Sequence, residues 1–517
     1  MKVTKGEREG DKTRYIVRVV FMKQETSVGD TKAPPSNKKK NNYTLALDYV
    51  EMGSDENTYG LTERVEKKLP EGVEAKMMYK DIVHIAWPSL VELTLTQLAS
   101  MVDLMMVGQL GAWAITSVGL TTQPKFLMMT MIQAMNVGAT AMVARYKGAG
   151  EPKKANMILR QALLLTFFIS IFASVIGYIF AQPLVAFMGA SDQESLIGGT
   201  QYLQIQMIGF VFMALTTTFT ATLRGVGDSR TAMIYNMVAN IVNVILNYVL
   251  IYGHFGFPEL GVAGASLATI IGQFVAFVIA LISVMSGKYY LHLQFKEGFR
   301  PNFEELGHIF RIGFPAMLEQ FAMRAGMIIY SKTVASLGTV LFATHQVCMN
   351  IQALSFMTGQ AFGVSATSLL GQSLGKRRPD MAQAYTSRTR RLGMMVSLFL
   401  GACFFLFGRQ IVGLYNNEPA IVQTGGVILM FLAFIQPFQS SQFILSGALR
   451  GAGDTKATAV ITFITVLLVR PGLALLAIHV FHWGLYGAWV ALVADQMLRS
   501  LLVLLRYNTG KWKTARV

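Results

Sequence analysis

The chain has 517 residues, 53% of them hydrophobic and only 14% charged, which excludes an ordinary soluble globular protein. Its formal net charge of +16 does not point to nucleic acid, because the basic residues fall in alternate loops between apolar stretches, where they orient a membrane protein. Cys348 and Cys403 both lie inside apolar stretches and give no disulfide framework, and the histidines show no metal-ligand spacing.

Residues 1–78 are polar and charged, and their composition predicts a disordered cytoplasmic extension. The one apolar run there, "YIVRVVFM", is short and interrupted by Arg18, so it is neither a signal peptide nor an anchor. Twelve apolar stretches follow, at about 82–107, 114–141, 157–181, 197–222, 231–253, 261–286, 306–332, 339–369, 389–409, 424–447, 456–480 and 485–506. Each is long enough to cross a hydrocarbon core as a helix, which takes ~20 residues. Basic residues mark every second loop, with Arg145, Lys147, Lys153 and Lys154, then Arg224 and Arg230, then Lys288, Lys296 and Arg300, then Lys376 to Arg378, then Arg450 and Lys456. That alternation predicts a multi-pass protein of the plasma membrane with both termini in the cytoplasm.

The chain is one unit written twice. "PSLVE" at Pro88 to Glu92 matches "PAMLE" at Pro315 to Glu319 at an offset of 227, and Thr140, Gly148 and Pro152 fall on Thr367, Gly375 and Pro379 at the same offset. Six helices per copy is an even number, so both copies enter the membrane from the same side. The predicted fold is therefore all-α, with twelve transmembrane helices in two parallel six-helix repeats (79–300 and 301–517) around a central cleft.

"LRGVGDSR" at Leu223 to Arg230 returns as "LRGAGDTK" at Leu449 to Lys456. Gly-x-Gly-Asp is a pattern of intramembrane aspartyl proteases, but a duplicated copy in a basic loop, away from the bilayer midplane, suits a turn. On this reading the glycines make the bend, Asp228 and Asp454 cap the next helix, and the basic side chains anchor to headgroups. These segments, with "MVDLMMVGQLG", "ASLGTVLFATHQV" and "LLGQSLGKRRPDMAQA", resemble the multidrug and toxic compound extrusion family from about residue 80 to 507. The resemblance implies a secondary antiporter that expels organic cations or other amphipathic toxic compounds in exchange for Na+ or H+, with no cofactor.

Ionisable residues inside spanning helices are costly and mark function. Here they are Glu92, Asp103, Lys125, Glu319, Arg324, Lys332, Arg470 and Asp495. Depth counting at ~1.5 Å per residue pairs Glu92 with Lys125, and Glu319 with Arg470. Asp103 is left without a basic residue at its depth, and its repeat mate is Tyr330. Asn236, Asn240, Asn243 and Asn247 recur at helical spacing on one face at a similar depth. A carboxylate beside amide oxygens is what a cation site needs, so Asp103, Asn240, Asn243 and Asn247 form the candidate site, with metal ligation confined to a Na+ at Asp103. The resemblance also places Asp103 and Asn243 in the family's first-half cation site. It puts Met323 and Gln439 where some members carry second-half carboxylates.

The expected mechanism is antiport by alternating access, with small amphipathic cations as substrates, the bilayer as environment, no nucleic-acid partner and a monomeric state. Glu319, Gln320, Tyr330 and Arg470 are the second-half polar residues of the cleft. A lipid-linked oligosaccharide flippase is the alternative, which would call for more cleft arginines. An intramembrane protease and a channel lack, respectively, a paired aspartate and a pore-lining charge ring.

Overall fold

The computed structural model describes residues 2–9, 12–18, 73–190, 192–294, 298–415 and 418–515, in two units, Met1–Lys68 and Leu69–Val517. In the first, β1 (Lys2–Glu9) pairs antiparallel with β2 (Lys12–Arg18), with Val3 opposite Val17 and Thr4 opposite Ile16. A hairpin thus stands where the sequence predicts disorder, because β-branched residues in both segments favour an extended chain. The rest of the predicted extension, up to residue 72, lies outside the described residues.

The second unit holds the twelve predicted helices. In the first half they are α1 (Ala75–Gly108), α2 (Ala112–Ala149), α3 (Pro152–Ile179), α4 (Gln193–Gly225), α5 (Ser229–Tyr252) and α6 (Gly261–Met285). In the second they are α7 (Phe303–Ala335), α8 (Thr339–Gly375), α9 (Pro379–Gly413), α10 (Pro419–Gly451), α11 (Thr455–Val480) and α12 (Gly484–Asn508). Ten are apolar enough to span by composition alone; α7 falls short because it carries Glu319, Arg324 and Lys332, and α8 because it is rich in Thr, Ser and Gln. Large apolar side chains such as Phe168 and Phe172 on α3 and Phe399 and Leu406 on α9 point outward, as a lipid-facing surface requires.

Local chemistry fixes the helix ends. Pro152 and Pro379 occupy the first turn of α3 and α9, where a missing N–H costs nothing. Asp192 accepts the Ser195 amide at 2.7 Å at the start of α4, and that hydrogen bond holds its carboxyl below the usual range. In α11, wide π-type turns at Phe463–Val469 and Leu476–Val480 flank Arg470 and Pro471. The α7 backbone lies against the first of them, so that a Cβ on Gly326 would stand 2.3 Å from the Val466 carbonyl.

The hydrogen bonds joining the halves cluster at the end that bears the basic loops. There Ser365 donates to Ile82 O at 3.0 Å, Ser368 to Gly225 O at 2.9 Å and Tyr385 to Asp81 at 2.7 Å. The closest approach is backbone on backbone: a Cβ on Gly148 would lie 1.9 Å from Gln372 O, and one on Gly375 would lie 2.0 Å from Arg145 O. The offset of 227 maps Arg145 onto Gln372 and Gly148 onto Gly375, so the two contacts are one contact seen from both sides. It also relates the contact of Gly138 with Ile309 to that of Ser365 with Ile82. This self-complementary seam joins the two halves at the basic end.

Gly148→Ala is therefore expected to shift the protein away from this conformer, because no flexible side chain stands in the way that could yield. The measurement is spin-label distance across the basic end, between labels on Lys153 and Arg377. A distribution moving to longer distances by several ångströms is expected, and an unchanged one would contradict the seam's role.

Candidate functional site

The repeated Leu-Arg-Gly-x-Gly-Asp segment organises the base of the cleft. Its first glycine lets two helices touch: a Cβ on Gly225 would stand 2.9 Å from Thr140 O, and one on Gly451 would stand 2.3 Å from Thr367 O. Its second glycine, Gly227 or Gly453, takes φ of +83° or +86°, which L side chains avoid. Asp228 caps α5 through the Thr231 amide at 3.2 Å and hydroxyl at 2.8 Å. Asp454 departs from the expected cap and pairs with Arg506 at 2.8 Å.

The arginines of the segment turn inward, and the headgroup expectation is wrong for them. Arg224 pairs with Glu92 at 2.8 Å, and Arg450 pairs with Glu319 at 2.5 Å. The two pairs are repeat mates, and both arginines border one central cavity of about 350 Å³ lined also by Gln133, Thr220 and Gln360. Neither predicted pair forms. Glu92 takes Arg224 instead of Lys125, and Glu319 takes Arg450 instead of Arg470, because counting along two helices cannot see an arginine reaching in from a loop-proximal turn. Thr458 donates to Glu319 as well, at 3.0 Å, so this carboxylate is satisfied on both oxygens; Glu92 accepts from Asn236 at 2.6 Å on Oε1 and meets Arg224 through Oε2.

Helices α1 and α5 both leave the basic end in the same direction, in a register of 144 residues. Asn236 meets Glu92, Asn240 donates to Thr96 at 3.2 Å, and Asn247 donates to Asp103 at 2.5 Å. Of the predicted amide cluster, then, only Asn247 reaches Asp103. Asn240 sits about two turns below it on Thr96, and Asn243 turns toward α6, donating to Thr269 at 3.2 Å. Asn247 is fully buried, and its Oδ1 has no hydrogen-bond partner among the described residues. A buried carbonyl oxygen left unpaired beside a carboxylate is a costly arrangement that an incoming cation would relieve. Asp103 is not isolated from positive charge, however: Lys125, expected to serve Glu92, acts electrostatically on Asp103. Among the described residues no three His, Cys, Asp or Glu gather as a metal site. A Na+ here would be held by Asp103, Asn247 Oδ1 and water, which fits a hard, oxygen-seeking cation.

In the second half, Arg470 binds Asp495 through Nε at 2.9 Å and Nη2 at 2.5 Å, and Arg499 adds a contact at 2.6 Å to the same oxygen. Tyr330 is almost fully buried and donates to Ala488 O at 2.8 Å, so it supports the bundle and does not line the cleft. Gln320 does border a cavity, together with Met323 and Arg470. Gln439, in the tenth helix, is buried with both amide atoms unpartnered among the described residues. Asp495, which the sequence puts near an interface end of its helix, is instead fully buried, and its pairing with Arg470 and Arg499 is not foreseen by depth counting. The signal was present in Asp495 and Arg499, four residues apart on one helix.

The geometry is that of a duplicated helical bundle with charge pairs around a cleft, and sequence comparison agrees. The profile of the MatE family matches the chain twice, over residues 88–249 and 315–476. The chain belongs to the MATE family of transporters. The two matches to the MATE profile run from within α1 to α5 and from within α7 to α11, so both Glu–Arg pairs, Asp103 and Arg470 lie inside them. A relative named as a probable multidrug resistance protein NorM, from Thermotoga maritima, is 28% identical over 86% of this chain and 95% of its own length. The multidrug resistance protein PmpM of Pseudomonas aeruginosa is 27% identical over 76% of this chain and 83% of its own. Among solved structures, a MATE transporter in an outward-facing conformation superposes with a TM-score of 0.77 at 22% identity, over 84% of this chain and 97% of that one.

Proposed function

We propose that this MATE transporter is a secondary antiporter of the plasma membrane that exports amphipathic compounds, organic cations among them, in exchange for Na+ or H+ bound at Asp103. The observation that carries the reading is Asp103 beside the unpaired, buried Oδ1 of Asn247, on the far side of Glu92 from the seam. The names of the NorM and PmpM relatives support export of drugs, and the basic loops support a cytoplasmic seam, so that this conformer faces outward.

In this cycle an external cation enters the open cleft and takes Asp103 from Lys125. The α1–α5 ladder carries the change along α1 toward the Glu92–Arg224 pair, and the seam opens to admit substrate from the cytoplasm. The ion drives exchange only if it binds the two conformers with different affinity; the loss or gain of the Asn247 contact supplies such a difference. The test is efflux of a fluorescent organic cation from cells lacking their own pumps, under an imposed Na+ or pH gradient. Export under one gradient names the coupling ion, and export indifferent to both gradients would sink the antiporter reading.

Lys125→Met is expected to strengthen external-cation binding by about tenfold, since it removes the internal competitor for Asp103. Na+ titration of tryptophan fluorescence at several pH values checks this. Unchanged or weaker binding would show that Lys125 is not the resting countercharge.

A further inference from the structure

The two halves differ in charge balance. In the first half, Glu92 pairs with Arg224, and the carboxylate of Asp103 is balanced in number by Lys125. In the second half, Glu319 and Arg450 cancel, but a cavity of about 170 Å³ is lined by three guanidinium groups, those of Arg324, Arg470 and Arg499. Among the described residues Asp495 is the single carboxylate paired with them, and it gives the same oxygen to both Arg470 and Arg499. Arg499 Nε remains buried without a partner among the described residues. Arg324 has no carboxylate partner among the described residues; its guanidinium lies 3.6 Å from the centre of the Phe126 ring, which reaches across from the first half. Two positive charges are thus left over beside one apolar wall of Phe356, Phe443 and Met323. Uncompensated positive charge at membrane depth is costly and persists where it serves a ligand.

We propose that this cavity binds the anionic group of an amphipathic organic anion, such as a carboxylate on an aromatic body. The carboxylate accepts hydrogen bonds from Arg324 and from the unused Nε–H of Arg499, in the charge-assisted geometry guanidinium groups favour. The aromatic body lies against Phe126 and Phe356. Compounds that carry both a cationic and an anionic group would then span from the Asp103 side to the arginine side of one cleft. The inference extends the substrate range of the antiporter reading and rests on it for the direction of movement, whereas binding is measurable apart from it.

The experiment is fluorescence titration of the purified full chain in detergent with 1-pyrenebutyrate and with its methyl ester, which keeps the ring system and removes the charge. The acid is expected to bind about tenfold more tightly than the ester, and Arg324→Gln to erase that preference while leaving ester binding unchanged. Ester binding serves as the folding control, and Asp103→Asn, which stops coupled transport, should leave the acid preference intact. Equal binding of acid and ester to the unaltered protein, or an Arg324→Gln variant that weakens both alike, would overturn the proposal. Octanoate should displace the bound acid; displacement by phosphatidylglycerol but not by octanoate would assign the cavity to a resident lipid and overturn it as well.

Discussion

Asp103→Asn is expected to abolish gradient-driven export, with a loss of about a hundredfold or more in reconstituted vesicles. The substitution keeps side-chain volume and can still accept the Asn247 hydrogen bond seen at 2.5 Å, so packing is little changed. What disappears is the one negative charge that can hold a cation there, and losing a desolvated charge partner costs a few kcal/mol of interaction. The complication is Lys125, which acts on Asp103 and in the variant is left without a countercharge. Asp103→Asn paired with Lys125→Met separates the effects: stability should return in the double variant and coupled export should not. Efflux surviving in either variant would assign Asp103 a structural role and move the search for the coupling group to Glu319.

The largest stability effect is expected at the second Glu–Arg pair. Glu319→Gln strands Arg450, whose side chain is 26% exposed against 3% for Glu319, and also weakens the bonds from Thr458 and Thr462. Breaking a buried pair by removing one partner costs ~3–5 kcal/mol, and partial hydration of Arg450 from the cleft puts the expected value near the low end. Thermal unfolding in detergent should show a clear fall in midpoint for Glu319→Gln and recovery in Glu319→Gln with Arg450→Gln. If the double variant falls as far as the single, the pair is not the unit of stability. The first-half pair should behave alike, since Arg224 is 17% exposed and Glu92 6%.

Helix number and repeat were legible because each rests on a one-dimensional signal: apolar length and self-similarity at an offset of 227. The juxtaposition of Asp103 and Asn247 was legible too, since helical spacing places the asparagines and depth counting places the carboxylate. Partner choice was not. Depth pairs Lys125 with Glu92, but Glu92 takes Arg224; Arg224 and Arg450 read as surface charges because they lie next to a turn. Which of four amides reaches a given carboxylate depends on the rotation of α5 against α1, a quantity that sequence spacing leaves open. Asn243 shows the consequence by bonding Thr269 on α6.

The seam at the basic end has a meaning for ancestry. Because Gly148 meets Gln372 as Gly375 meets Arg145, one surface patch recognises a copy of itself, the contact that a symmetric homodimer of a single six-helix unit would form. Each such unit would already be neutral at its Glu–Arg pair. In a homodimer every substitution appears twice, so a site with an aspartate on one side and a tyrosine on the other could not exist. Fusion of the two copies into one chain removed that constraint, and the divergence of Asp103 from Tyr330, with an acidic site in one half and an arginine-rich cavity in the other, is the asymmetry that fusion made available.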